Sequence, residues 1–157
     1  MKRRQFIQST AGAGVTLAAG LLPFAARAAS LRVVVVGGGM AGAAVAKFIR
    51  LWSKGEISVV LIERDASYVS NILSNEVVTG KRPSIDSLAY SYTALTTKYG
   101  VQRIQGTVTG IDDINKTVTY ETLAGSNSVL TYDRLVLAPG LDFDLMPGMT
   151  SASQYDT

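Results

Sequence analysis

The 157-residue sequence predicts an α/β fold in which a parallel sheet is followed by a three-stranded antiparallel meander. A β-branched run at residues 31–36 precedes a glycine cluster, an amphipathic segment and a second apolar run at residues 57–62. This order is typical of a strand–helix–strand crossover, which joins parallel strands. Further along, three segments alternate apolar and polar residues around short turns, as antiparallel strands do.

The segment between the first two strands has apolar residues at helical spacing, which predicts a helix with one buried stripe. The stripe consists of Ala41, Ala44, Val45, Phe48, Ile49 and Trp52. Gly55 predicts the end of this helix. Residues 64–90 are predicted to be irregular, apart from a short helix around residues 72–78, and residues 92–99 suit another helix before Gly100.

The remaining strands are predicted downstream. They cover residues 101–105, 107–112, 117–122, 128–132 and 135–138. The first continues the parallel part of the sheet, the next three form the meander, and the last is apolar enough to be buried. Pro139 and Gly140 end the last strand.

Composition limits the chemistry that the chain can perform. It is 47% hydrophobic and 17% charged, as expected of a globular domain. It contains no cysteine and no histidine, which excludes thiol redox chemistry, histidine general bases and the usual zinc ligands. We therefore predict no metal site and name no catalytic residue, and any redox chemistry would need a bound cofactor.

The net charge of +3 comes from the first 28 residues. They contain four of the 15 basic residues and no acidic residue, which leaves 11 basic against 12 acidic residues, or −1, in the remainder. A basic surface that would bind nucleic acid is therefore not predicted.

Residues 1–29 follow the pattern of an export signal. A charged start precedes a weakly apolar stretch, and residues 26–28 (Ala-Arg-Ala) fit a small-residue cleavage site. Arg3 and Arg4 begin the sequence RRQFI, which resembles the twin-arginine motif of the Tat route. We therefore predict a twin-arginine signal peptide, a mature protein in the periplasm, and no stable membrane span after signal removal. A general secretory signal or an uncleaved anchor is the alternative.

A glycine-rich motif lies where the first strand meets the helix. It matches the G-x-G-x-x-G pattern and consists of Gly37, Gly38, Gly39, Met40, Ala41 and Gly42. Gly37 permits the tight turn, Gly39 lets the backbone approach a pyrophosphate, and Gly42 lets the helix pack close to the sheet. The helix N-terminus offers N–H groups to the phosphates. The motif predicts a Rossmann-like dinucleotide site, with a turn that binds no ligand as the alternative.

A carboxylate ends the second strand, where Glu63 lies 21 residues after Gly42. There it can accept hydrogen bonds from ribose hydroxyls, and it would repel a 2′-phosphate. We therefore predict that Glu63 binds an adenosine ribose and disfavours NADP, the alternative being a solvated side chain. The neighbouring Arg64 is either a cover for the adenine ring or a solvated arginine. These residues alone are compatible with both NAD and FAD.

The later segments resemble the FAD domain of the glutathione-reductase-like flavoproteins. Residues 131–140 resemble the second FAD motif of that family, with Pro139 in place of threonine between Ala138 and Gly140. The resemblance implies that this turn brings backbone close to FAD. It also implies that backbone around Val108 contacts the adenine. FAD is therefore the expected cofactor.

Four stretches are similar to the flavin subunit of flavocytochrome c sulfide dehydrogenase. They are residues 33–39, 73–77 (Leu-Ser-Asn-Glu-Val), 132–134 and 138–140. The resemblance implies that the segment around Asn75 lies near the isoalloxazine ring of FAD. It also implies that a small inorganic sulfur substrate, sulfide, is oxidised at the flavin, and that a cytochrome c subunit receives the electrons.

The sequence departs from that family in two ways. Family members can hold the flavin through a cysteine thioether just before this segment, and Asn71 occupies that position here, so FAD would be noncovalent. The family's redox-active cysteines lie later in the chain than Thr157. We therefore predict that residues 30–157 form the N-terminal portion of an incomplete FAD-binding domain. A sulfide:quinone or NADH-dependent reductase of the same fold, or a noncatalytic nucleotide-binding fragment, are the open alternatives.

Overall fold

The structure, a computed structural model, describes residues 31–141 and confirms the α/β fold. Its main sheet has six strands in the order β7-β6-β5-β2-β1-β8. The strands are β1 (Arg32–Val36), β2 (Ser58–Glu63), β5 (Gln102–Asp112), β6 (Thr117–Thr122), β7 (Asn127–Thr131) and β8 (Arg134–Leu137). The predicted signal peptide and residues 142–157 lie outside the described residues.

The predicted crossover forms the centre of this sheet. Helix α1 (Met40–Trp52) connects β1 to β2, and these two strands are parallel, with Val34 opposite Val60. Strand β8 lies parallel on the other side of β1, with Leu135 opposite Val34. Because all these strands run in one direction, their carboxyl ends meet at one edge of the sheet.

The third parallel strand and the first meander strand are one continuous strand, β5, rather than the two that we predicted. Its first residues pair in parallel with β2, and the rest pair antiparallel with β6. Gly106, where we expected a break, lies inside the strand and pairs with Thr122. The close approach of β6 favours glycine there, because a Cβ would be 2.5 Å from the carbonyl oxygen of Glu121. A register shift between Val108 and Gly110 then bends the strand.

The buried face of α1 differs from the predicted stripe. Gly42 and Ala46 are the buried residues of this helix, and Ile49 packs against the same core. Phe48 and Trp52, which we expected to be buried, lie on the solvent side with their rings stacked 5.0 Å apart. The small residues face the sheet because the helix begins too close to it for larger side chains.

Both faces of the parallel strands are covered, as their continuous apolar sequences predicted. On one face, Val35 and Leu61 pack with residues of α1. On the other face, Val34 and Val60 pack with Val118 of the meander. The meander therefore curls over the face that α1 leaves open.

Residues between β2 and β5 contain more regular structure than predicted. Besides α2 (Ser74–Val78) and α3 (Thr93–Thr97), they form a 3-10 helix (Ile85–Leu88) and a two-stranded antiparallel ribbon of β3 (Ser67–Val69) and β4 (Ala89–Ser91). Strands of three residues are too short to show an alternating pattern. Within residues 31–141, no helix is long and apolar enough to cross a membrane.

Candidate functional site

The candidate site lies at the carboxyl edge of the sheet, where the turns after β1, β2 and β8 meet. The N–H of Gly37 donates to the carbonyl of Ile62 at 2.9 Å, and the N–H of Ala138 donates to the carbonyl of Val36 at 2.8 Å. These bonds extend the strand pairing by one residue into the turns. The glycine motif is thereby fixed between the ends of its two neighbouring strands.

The fold itself requires two of the motif's glycines. A Cβ on Gly37 would lie 2.1 Å from the carbonyl oxygen of Ala138, and Gly37 has φ +95°, which favours glycine. A Cβ on Gly42 would lie 1.8 Å from the carbonyl oxygen of Gly37. These contacts match the predicted tight turn and close helix packing.

Gly39 differs from these glycines, because the protein leaves space beside it. Gly39 has a φ of −61°, which any residue adopts, and a Cβ added there would meet only the Tyr68 ring, 3.9 Å away. Gly39 caps α1 without a side-chain hydrogen bond, and the first turn of the helix holds no acidic residue. The free N–H groups of this turn and the open space beside Gly39 together suit a phosphate group.

Glu63 holds the turns together through its carboxylate. One oxygen accepts the N–H of Gly38. The other accepts the N–H of Asp65 at 2.8 Å. A carboxylate oxygen has more than one acceptor position, so these bonds leave room for a ribose hydroxyl.

Two cavities flank Glu63. The larger, of about 780 Å³, runs from Gly39 past Tyr68 to the turn after β8. The smaller, of about 200 Å³, lies between the ends of β1 and β2 and the segment around Val108 in β5. Both are lined by Glu63, Arg64 and Pro139, so the two cavities lie side by side along the sheet edge.

Most of the predicted site residues lie around these cavities. Glu63, Arg64 and Pro139 line both, Val108 lines the smaller, and Gly39, Ala138 and Gly140 line the larger. Met40 and Ala41 are exposed in the first turn of α1 and contribute backbone rather than side chains to the edge. The Arg64 side chain is largely exposed and pairs with Asp65.

The Leu-Ser-Asn-Glu segment, residues 73–76, does not line the larger cavity itself, but a residue just before it does. Asn71 lines the larger cavity, but Asn75 is exposed in α2 and does not line it. Glu76 pairs with Arg82 at 2.7 Å, which closes the loop after α2. A role for Asn75 near a flavin ring stays a prediction.

Sequence reasoning missed two residues beneath the glycine motif. We placed Tyr92 in a helix, but it precedes α3, is 6% exposed, and its hydroxyl donates to the carbonyl of Gly38 at 3.0 Å. The guanidinium of Arg103 lies over the Tyr92 ring, 4.7 Å from its centroid. No sequence pattern links these residues to the motif, because the contacts join segments far apart in the chain.

Burial of Tyr92 and the nearby charge of Glu63 raise the pKa of the Tyr92 hydroxyl from 10.0 to about 12. The folded state therefore keeps this proton at a pH where the unfolded chain loses it. The stability that results is complete below about pH 10 and is lost as the pH rises through about 12. Urea unfolding should show the free energy of unfolding falling more steeply over this range in the wild type than in Tyr92→Phe. Equal slopes would contradict the assignment.

Three solved structures show the similarity to known proteins. A water-forming NADH oxidase from Lactobacillus brevis is 28% identical over 76% of this chain and 27% of its own, with a TM-score of 0.63. A NAD-dependent persulfide reductase from A. fulgidus is 29% identical over 70% of this chain and 21% of its own, with a TM-score of 0.61. The sulfide:quinone oxidoreductase from Aquifex aeolicus is 25% identical over 70% and 24%, with a TM-score of 0.56.

This chain therefore spans about a quarter of the length of each of these proteins. A family model described as pyridine nucleotide-disulphide oxidoreductase matches residues 31–156, which is most of the chain. The chain belongs to this family, whose members are FAD-dependent oxidoreductases.

Proposed function

We propose that this chain binds FAD noncovalently across the carboxyl edge of its sheet. The observation that carries the proposal is the open space at Gly39, since the fold itself does not require a glycine there. Gly39 and the first turn of α1 would hold the pyrophosphate, and Glu63 would accept the adenosine ribose hydroxyls. The smaller cavity, at Val108, suits the adenine, and the larger suits the rest of FAD.

Noncovalent attachment is supported by the residue at the position where the similar sulfide dehydrogenases can carry a cysteine. Asn71 lines the larger cavity, so this position faces the space that the flavin half would occupy. An amide side chain cannot form a thioether, and the chain contains no cysteine. Affinity for FAD therefore depends on hydrogen bonds and packing alone.

We further propose that the whole protein oxidises sulfide and passes the electrons to a cytochrome c subunit. The similarity of residues 73–77 to flavocytochrome c sulfide dehydrogenase supports this. The structural likeness to a persulfide reductase and a sulfide:quinone oxidoreductase supports a sulfur substrate more generally. The flavin ring would supply the redox chemistry when FAD is bound, since residues 31–141 contain no cysteine.

The same likenesses favour a second candidate, a reductase that uses NADH or a quinone. One similar structure was solved bound to NADH, and another is named for its quinone. Flavin absorbance of the purified full chain separates the candidates under anaerobic conditions. Bleaching by sulfide, with return of the colour on adding cytochrome c, is expected. Bleaching by NADH alone, or return of the colour only with a quinone, would favour the second candidate. A protein without flavin would favour a noncatalytic fragment.

We also propose export to the periplasm by the Tat route. Replacing Arg3 and Arg4 together by lysine should retain the protein in the cytoplasm, because the Tat route requires the paired arginines. Cell fractionation followed by immunoblotting measures the distribution. Replacement of Lys2 by arginine is the matched control, since it keeps the charge and the pair. Export of the double lysine variant through the general secretory route would contradict this proposal.

A further inference from the structure

Hydrogen bonds and one stacking contact join five residues under the glycine motif: Gly38, Glu63, Asp65, Tyr92 and Arg103. Two of them, Tyr92 and Arg103, have no assigned role. Glu63 accepts the N–H of Gly38, while Tyr92 donates to the carbonyl of the same residue. Gly38 is thus held at both its N–H and its C=O. Gly38 lies between β1 and α1, so holding it fixes the turn that would face the pyrophosphate.

The same arrangement is repeated on the turn after β2. Glu63 accepts the N–H of Asp65, and Arg103 donates to the carbonyl of Asp65. The Arg103 guanidinium also stacks on the Tyr92 ring. The two turns that flank the dinucleotide site are therefore connected twice, once through Glu63 and once through the stacked Tyr92 and Arg103.

Gly38 is required by this network rather than by the turn. A Cβ on Gly38 would lie 2.6 Å from the Tyr92 hydroxyl and 2.9 Å from Cγ of Glu63. Arg103 also has a buried Nε–H with no acceptor among the described residues, which is unfavourable for stability. Its presence is better explained by what it holds in place than by a contribution to the core.

We propose that Tyr92 and Arg103 are positioning residues that hold the Glu63 carboxylate ready for the ribose of an adenine dinucleotide. This inference rests on the proposed FAD site. Glu63 would otherwise rotate freely at the strand end and lose conformational entropy on binding. With its acceptor oxygens fixed by two peptide groups, the carboxylate keeps one orientation before the ligand arrives, which favours affinity.

The test is a double-mutant cycle in the full chain, read as the dissociation constant for FAD from quenching of flavin fluorescence. Tyr92→Phe keeps the ring and its stacking on Arg103 but removes the hydroxyl. It should raise the dissociation constant about three- to tenfold, as expected for one hydrogen bond. In a Glu63→Gln background the same change should alter it less than about twofold, because coupled residues are not additive.

Two further variants separate positioning from general stability. Tyr99→Phe, at a tyrosine of the same core that does not line the site, should leave the dissociation constant unchanged. Arg103→Lys keeps the charge but loses the planar stacking, and it should weaken FAD binding as Tyr92→Phe does. Thermal unfolding of the FAD-free protein checks that Tyr92→Phe, Tyr99→Phe and Arg103→Lys fold.

The outcomes distinguish this proposal from the proposed function. If Glu63→Gln weakens FAD binding while Tyr92→Phe and Arg103→Lys do not, the positioning role is overturned and the FAD site stands. Additive effects of Tyr92→Phe and Glu63→Gln also overturn the positioning role. A wild-type dissociation constant in Glu63→Gln would overturn both.

Discussion

Replacing Gly42 by alanine should destabilise the domain by about 3 kcal/mol or more, because the added methyl group meets backbone that cannot move. Its Cβ would lie 1.8 Å from the carbonyl oxygen of Gly37 and 3.0 Å from the carbonyl carbon. Relief would require α1 to move away from the sheet, which would separate it from Val35 and Leu61. Thermal unfolding followed by circular dichroism should show a strongly lowered midpoint or no folded state.

Gly39→Ala is the matched comparison, and we expect it to weaken FAD binding while leaving the stability of the fold nearly unchanged. The backbone at Gly39 has an ordinary φ, and the nearest atom to an added Cβ is 3.9 Å away. The apo protein should therefore unfold at nearly the wild-type temperature. FAD binding should weaken by about 1–3 kcal/mol, because the methyl group occupies the space for a phosphate. Unchanged affinity in a folded Gly39→Ala protein would refute the placement of the pyrophosphate.

Removing the Glu63 carboxylate should weaken FAD binding by about 1–3 kcal/mol, the cost of leaving polar partners unpaired. Glu63→Ala removes the acceptor for the ribose hydroxyls and for the N–H groups of Gly38 and Asp65. Both the ligand contact and the order of the two turns are lost together. The flavin content of the purified full chain and its dissociation constant for FAD measure the effect.

Glu56→Ala is the control for this experiment. Glu56 lies just before β2, at the opposite end of the strand from Glu63, and its side chain is exposed. The Glu56→Ala substitution changes the net charge by the same amount as Glu63→Ala, but Glu56 lines neither cavity. Equal flavin content in the Glu56→Ala and Glu63→Ala proteins would show that the Glu63 carboxylate is only a surface charge.

Features that depend on the order of residues along the chain were predictable from the sequence. A β-branched run, a glycine turn and a helix-forming segment dictate a parallel crossover, because few other connections fit. Glu63 was predicted at the strand end, and the structure places it between the two cavities. The roles of Gly37 and Gly42 also followed, because the turn and the helix contact are formed by residues close in the chain.

The pairing of distant surfaces was visible only in the folded protein. The helical pattern of α1 allowed Phe48 and Trp52 to be placed inside, but the close approach at Gly42 turned its small residues toward the sheet instead. Two strands separated at Gly106 were expected, whereas β5 is continuous there and β6 approaches this glycine closely.

The network under the glycine motif was also beyond the reach of the sequence. Tyr92 contacts Gly38 across 54 residues, and Arg103 contacts Asp65 across 38. Hydrophobic periodicity and turn signals describe neighbours along the chain, so they carry no information about such pairs. The contacts exist because the parallel pairing of β5 with β2 places Arg103 opposite Leu61, close to the turns that follow β1 and β2.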